Sequence, residues 1–249
     1  MSSDRLKLNA DKTHFIWLGT RQQLDKKNCS TITLVENIIN QSDDVTVLEV
    51  VFDPEMTFRT HIKRLTGKRF YQLRQLRTVR GVLTLDASKA VVHAFVSSRV
   101  DYCNGVLSIV RAKHLGPLQS VLNAAHRVVS RRRKYDHISD FVRDQVHWLP
   151  IAKRIEYKLC IFVYKCLHQL APQYLVEICK VVSDLPGHIN LRCASRGALI
   201  ELRTKTSTDW PRSFVVCTWN RLTSNLRDHS LSVGQLSCFL KTELFRRAY

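Results

Sequence analysis

Apolar residues change their spacing twice along this chain. Over residues 1–57 they come in short alternating or β-branched runs at 14–18, 31–35 and 45–52, bounded by polar turns. That pattern predicts three strands, with Gly19 ending the first and Asp53-Pro54-Glu55 breaking the last. From Phe58 the period becomes helical. Ile62, Leu65, Phe70, Leu73, Leu76 and Val79 recur on one side of a helix that Gly81 ends. Lys63, Arg64, Lys68 and Arg74 fall on the other side, with Arg77 at its rim. Arg69 falls inside the apolar arc, where its guanidinium must snorkel or find a partner.

Further helices follow. One is expected over 86–100, with Val91, Val92, Phe95 and Val96 inward and Asp86 as its cap. Another runs over 117–130, with Pro117 in its first turn and a stripe of Leu118, Val121, Leu122, Ala125, Val128 and Val129. It leads into Arg131-Arg132-Arg133-Lys134. A short segment covers 138–148. The clearest helix carries Ile155, Leu159, Phe162, Val163, Cys166, Leu167 and Leu170, and Ala171-Pro172 stops it. A short helix over 174–179 comes next. Residues 183–216 lose periodicity. A last helix buries Val233, Leu236, Phe239, Leu240 and Leu244, with Arg246-Arg247 in its final turn. The order predicts an α+β, mainly helical fold with four parts. These are a small β-rich piece at 1–57, a helical bundle at 58–182, an irregular or extended segment at 183–217, and a helical segment at 218–249.

Charge changes this picture more than composition does. Lys and Arg number 39 against 21 Asp and Glu, a net charge of +18. Such an excess favours polyanionic partners through counterion release. No apolar run is long enough to span a membrane, and the polar start does not read as a signal peptide. The eight cysteines form no CxxC pair, which points to free thiols and an intracellular protein, nuclear or cytoplasmic. The ten histidines show no HExxH spacing, and no nucleophile triad or glycine-rich phosphate loop is visible. No metal site is predicted. Asp43-Asp44 reads as a solvated turn. Tyr71, Trp148, Trp210 and Trp219 are not interleaved with basic residues, so core or staple roles are expected for them.

Several blocks together resemble one family. Leu6-Lys7-Leu8-Asn9-Ala10-Asp11-Lys12-Thr13-His14-Phe15 with Trp17-Leu18-Gly19 is similar to LxLNxDKTxF, which follows the catalytic palm strands of non-LTR (Jockey-like) retrotransposon reverse transcriptases. Residues 45–53 resemble that family's VxxLGVxxD, and Met56-Thr57-Phe58-Arg59-Thr60-His61-Ile62 its LxFxxHI. Arg99-Val100-Asp101-Tyr102-Cys103-Asn104 looks like SRLDYCN, and residues 118–125 resemble LQxVxNAAAR. His147-Trp148-Leu149-Pro150 with Arg154-Ile155 is similar to HWLPxxxRI. Thr218-Trp219-Asn220-Arg221-Leu222 through residues 240–245 resembles TWNxLP…FKxxLKTxLF. Each block alone is weak; the ordered set covers nearly the whole chain.

The resemblance implies a C-terminal fragment of an RNA-directed DNA polymerase: late palm remnant, thumb and C-terminal region. In the intact family two magnesium ions sit on palm aspartates upstream of the first block. This fragment is therefore expected to carry no cofactor and no autonomous activity. Lys12 matches the late palm lysine that assists pyrophosphate departure, here vestigial. The sequence departs from the pattern at Glu49, which replaces a glycine, at Leu202, which replaces the proline of PRT, and at residues 213–218, which lack the SGPxTW spacing. The expected partner is RNA or DNA backbone, bound without sequence preference. Lys63, Arg64, Lys68, Arg74, Arg77, Arg131, Arg132, Arg133 and Lys134 are the candidate contacts. Self-association through a cut palm edge, and no membrane association, complete the expectation. A helical protein-interaction module, or an element remnant without any nucleic-acid role, is the alternative.

Overall fold

The computed structural model describes residues 9–26, 29–34, 37–184, 197–200, 216, 218–228 and 230–249. The fold is α+β and mainly helical; among the described residues two small sheets of two antiparallel strands each precede the longer helices. The chain divides into two compact units, Met1–Leu65 and Thr66–Tyr249.

In the first unit a helical turn α1 (Arg21–Leu24) precedes β1 (Thr31–Leu34) and β2 (Asn37–Asn40), paired from Thr31↔Asn40 to Leu34↔Asn37. The run at 45–52 is a hairpin rather than the single strand expected. β3 (Val45–Val47) and β4 (Val50–Phe52) pair through Val47↔Val50. Leu48 and Glu49, the two residues between them, have φ of 48° and 66°. A two-residue type I′ turn requires left-handed backbone at both central positions, usually supplied by Asn-Gly. The strand expected at 14–18 does not form. Phe15 makes an isolated parallel bridge to Gln41, and the Trp17 indole donates to the Cys29 carbonyl at 2.9 Å. Val35, its expected neighbour in β1, lies outside the described residues. The turn out of β4 is fixed by Asp53, whose carboxylate accepts from the Thr57 amide at 2.5 Å and from its hydroxyl. Phe58, at φ 55°, is buried and meets the Phe52 ring edge-on at 5.5 Å. Helix α2 (Arg59–Val79) starts here.

In the second unit α2 ends in a tight turn, Arg80–Val82. α3 (Leu85–Val92) is capped by Thr84, whose hydroxyl accepts from the Ala87 amide at 3.2 Å; Asp86, the expected cap, sits in the first turn. A wide π turn, His93–Ser97, joins α3 to α4 (Ser98–Asp101), so the helix expected over 86–100 is interrupted. α5 (Gly116–Ser130) buries all of Leu118, Val121, Leu122, Ala125, Val128 and Val129. Burial of each of these leucines and valines is worth about 1.5–3 kcal/mol. α6 (Ser139–Phe141) runs into a second π turn, Val142–Val146.

α7 (Ile151–Leu167) buries Ile155, Leu159, Val163 and Cys166, but also Cys160 and Tyr164, while Phe162 and Leu170 stay exposed. It stops before Ala171-Pro172. Gln169 takes φ 57°, the Leu170 amide donates to the Lys165 carbonyl at 2.8 Å, and the Gln169 amide donates to the Cys166 carbonyl at 3.2 Å. That is a Schellman ending, with glutamine where glycine is usual. After α8 (Gln173–Val176), a lone bridge joins Val181 to Leu199. The segment expected to be irregular over 183–217 falls mostly outside the described residues. α9 (Val233–Arg246) opens with a capping box between Ser232 and Gln235. Leu236, Leu240 and Leu244 of α9 join Cys160, Val163 and Tyr164 of α7 and Trp219 in one buried cluster. Phe239 remains exposed.

The residues of the sequence blocks tie segments together. Asp101 pairs with Arg154 at 2.7 Å; Arg154 also donates to the Leu149 carbonyl at 2.7 Å and lies over the Trp148 ring at 5.7 Å. The Gln119 side-chain oxygen accepts from the Ile151 amide at 2.9 Å, and its amide donates to Asn123 at 2.8 Å. Asn220 bonds both the amide and the carbonyl of Leu199, and the Trp219 indole donates to the Gly197 carbonyl at 3.1 Å. In the first unit His61 Nδ1 accepts from the Val51 amide at 3.4 Å. These groups hold the fold.

Candidate nucleic-acid interface

α2 contains no Asp or Glu. Its rotation is fixed by burial of Ile62, Thr66 and Leu73 on one side. The opposite side therefore presents Lys63, Arg64, Lys68, Arg74 and Arg77 to solvent, within an arc of about 180°. Arg69 goes inward, and its guanidinium donates to the Phe95 carbonyl at 2.8 Å. Arg64 pairs with Asp44 at 3.4 Å, an exposed contact worth at most about 1 kcal/mol. Among the described residues Lys63, Lys68, Arg74 and Arg77 form no ion pair with a carboxylate.

Tyr71 was expected in the core or as a staple. Instead it is 63% exposed. It lies three positions after Lys68 and three before Arg74, so the ring stands amid the cations. The same helical wheel that separates the basic residues places it there. Trp148 is half-buried between His126, at 4.9 Å, and Arg154. Trp219 is in the core, and Trp210 lies outside the described residues.

The basic run at 131–134 splits in two. Arg131, at φ 57°, ends α5, with the Arg132 amide donating to the Arg127 carbonyl at 3.1 Å. The Arg131 guanidinium turns back onto the Gly81 carbonyl at 3.1 Å and lies within 3.5 Å of the Arg80 and Leu83 carbonyls. Arg80 answers in the other direction. It is 8% exposed, and donates to the Val128 carbonyl at 3.0 Å, Val129 at 2.7 Å and Leu83 at 2.8 Å. Burial, and then the charge of Arg131, pulls the Arg80 pKa below its ordinary value. Arg132 donates to the His137 carbonyl and lies over Phe141 at 5.8 Å. Arg133 and Lys134 are exposed, with the Lys134 ammonium over the Tyr135 ring at 5.2 Å. Arg131 is exposed as well, but its guanidinium is held by carbonyls, so Arg133 and Lys134 are the exposed side chains of this run without such a tie. The carbonyl partners of Arg131 lie 48 to 51 positions away, too remote for spacing to reveal.

Lys12 closes a short turn, Ala10–Lys12, and is exposed. No three His, Cys, Asp or Glu side chains come together among the described residues, and Asp44 is occupied by Arg64. A shallow cleft of about 380 Å³ in the first unit mixes Arg21 and Arg59 with Asp25, Asp53 and Glu55, which disfavours a phosphate. Compared with protein-family models, with curated proteins and with solved structures, the chain matches none of them.

Proposed function

We propose that this chain is a reverse transcriptase-like protein of the non-LTR retrotransposon kind whose own activity is to hold RNA or DNA by the phosphate backbone, without sequence preference. The observation that carries this is the exposed face of α2, with its lysines and arginines and no acid on the helix. Phosphate contacts need cations on a rigid element and no readout of base edges. The ordered sequence blocks support the ancestry, and their residues act here as structural ties rather than chemical groups. Catalysis is not part of the proposal.

Retention of the purified chain on mixed-sequence duplex and on single strands should fall steeply as salt rises. Several phosphate contacts give a log–log slope of several units. Replacing Lys63, Arg64, Lys68 and Arg74 together by Ala should flatten it. Flat retention by the unaltered chain would remove the proposal. A protein-interaction role is favoured instead by the apolar exposure of Ile32, Leu34 and Ile38 on the two-stranded β1–β2 sheet. That role shows as concentration-dependent oligomers in sedimentation that persist in high salt.

A further inference from the structure

We infer that Tyr71 is a stacking platform for an unpaired base, so that the face of α2 prefers single-stranded nucleic acid to duplex. This rests on the phosphate-binding role proposed above and adds the form of the ligand.

Two independent observations point to it. The first is the ring itself, 63% exposed between Lys68 and Arg74, both also exposed. Backbone phosphates held by those two cations would bring the adjoining bases within reach of the ring. The second is Gly67, one helical turn before Tyr71. A helical side chain leans toward the N-terminus, so the ground next to the ring is the turn that contains Gly67. A Cβ added at Gly67 would meet nothing within 4 Å. No close packing therefore demands a glycine there, although glycine inside a helix costs about 1 kcal/mol relative to alanine. What the glycine does provide is a bare surface beside an aromatic ring, room for a flat ligand.

Geometry selects the unpaired form. In a duplex the base faces are covered by their neighbours, and a ring on a convex helix reaches only phosphates and sugars. In a single strand a base can turn out and lie on the ring. Stacking of this kind is sequence-tolerant, because every base has a π-face.

The test compares an oligo-dT strand with a blunt duplex of the same length, using the full chain at fixed salt. Tyr71→Ala is expected to lower affinity for the strand roughly tenfold, with little change for the duplex and an unchanged salt slope. Tyr71→Phe should keep the strand affinity. Gly67→Leu, which fills the ground beside the ring, should raise thermal stability and lower strand affinity; those opposite directions exclude misfolding as the cause. If Tyr71→Ala leaves the strand-to-duplex ratio unchanged while the salt slope persists, the stacking role falls and phosphate binding stands. If neither ligand is retained at any salt, both fall.

Discussion

His126 illustrates how one residue sets a pH limit on the fold. It is 3% exposed, and neither ring nitrogen has a hydrogen-bond partner among the described residues. Burial, followed by the charges of Arg154 and Arg127, lowers its pKa from 6.5 to about 3. The imidazole is therefore neutral in the folded chain, while an unfolded chain takes up a proton below pH 6.5. Stability attached to this residue is complete above that pH and declines as pH falls toward 3, by about 1.4 kcal/mol per pH unit. Burial lowers the pKa of His61 in the same direction. Urea unfolding at neutral and mildly acidic pH should show the loss, and His126→Leu should show less of it. Parallel losses in both proteins would mean that the buried imidazole is not the cause. At Glu49, φ is 66°, and a left-handed non-glycine residue costs roughly 1 kcal/mol or more. Glu49→Gly is expected to raise the melting temperature; no rise would show that the turn is unstrained.

Arg80 and α5 bring the argument to the scale of an element. Three backbone carbonyls, two of them at the end of α5, depend on one guanidinium. Hydrogen bonds from a charged donor are worth about 1.5–3 kcal/mol each, without strict additivity. Arg80→Met should therefore destabilise the chain by about 3 kcal/mol or more in chemical denaturation, and Arg80→Lys should recover little, lacking the fork. A loss under about 1 kcal/mol would show that solvent replaces the guanidinium. This tie was not legible in the sequence, since its partners are carbonyls and not side chains. The stripe of α5 was fully legible, because burial there repeats every three or four residues. The β3–β4 hairpin was not, because Leu48-Glu49 lacks the usual turn signal. The interruption at His93–Ser97 was hidden for another reason: a single wide turn shifts the helical phase without altering composition. The end of α7 was misplaced because Gln169 adopts a conformation its residue type does not announce.

At the scale of the whole molecule, charge and fold separate. The net charge of +18 belongs to the entire chain, yet part of it is turned inward at Arg69, Arg80 and Arg154, and Arg131, though exposed, is tied to backbone carbonyls. The basic face of α2 was legible because a helical wheel divides it cleanly. The run at 131–134 was legible only as charge; that Arg131 is tied depends on the carbonyls of Arg80, Gly81 and Leu83. Removing outward cations should lower the salt slope by about 0.7–0.9 for each phosphate that is no longer neutralised. Binding titrations across salt should find that drop for Lys68→Ala and Arg74→Ala. Arg131→Ala should instead lower stability and leave the slope nearly intact, whereas an equal fall in slope would place Arg131 among the groups that touch the ligand.

The tie between Asp101 and Arg154 has a consequence for inheritance. The carboxylate counters a guanidinium that is mostly hidden from water and is also held against Trp148 and the Leu149 carbonyl. A lineage that loses the acid alone is left with a stranded charge, and one that loses the base alone strands the acid. Drift at these two positions should therefore proceed in pairs.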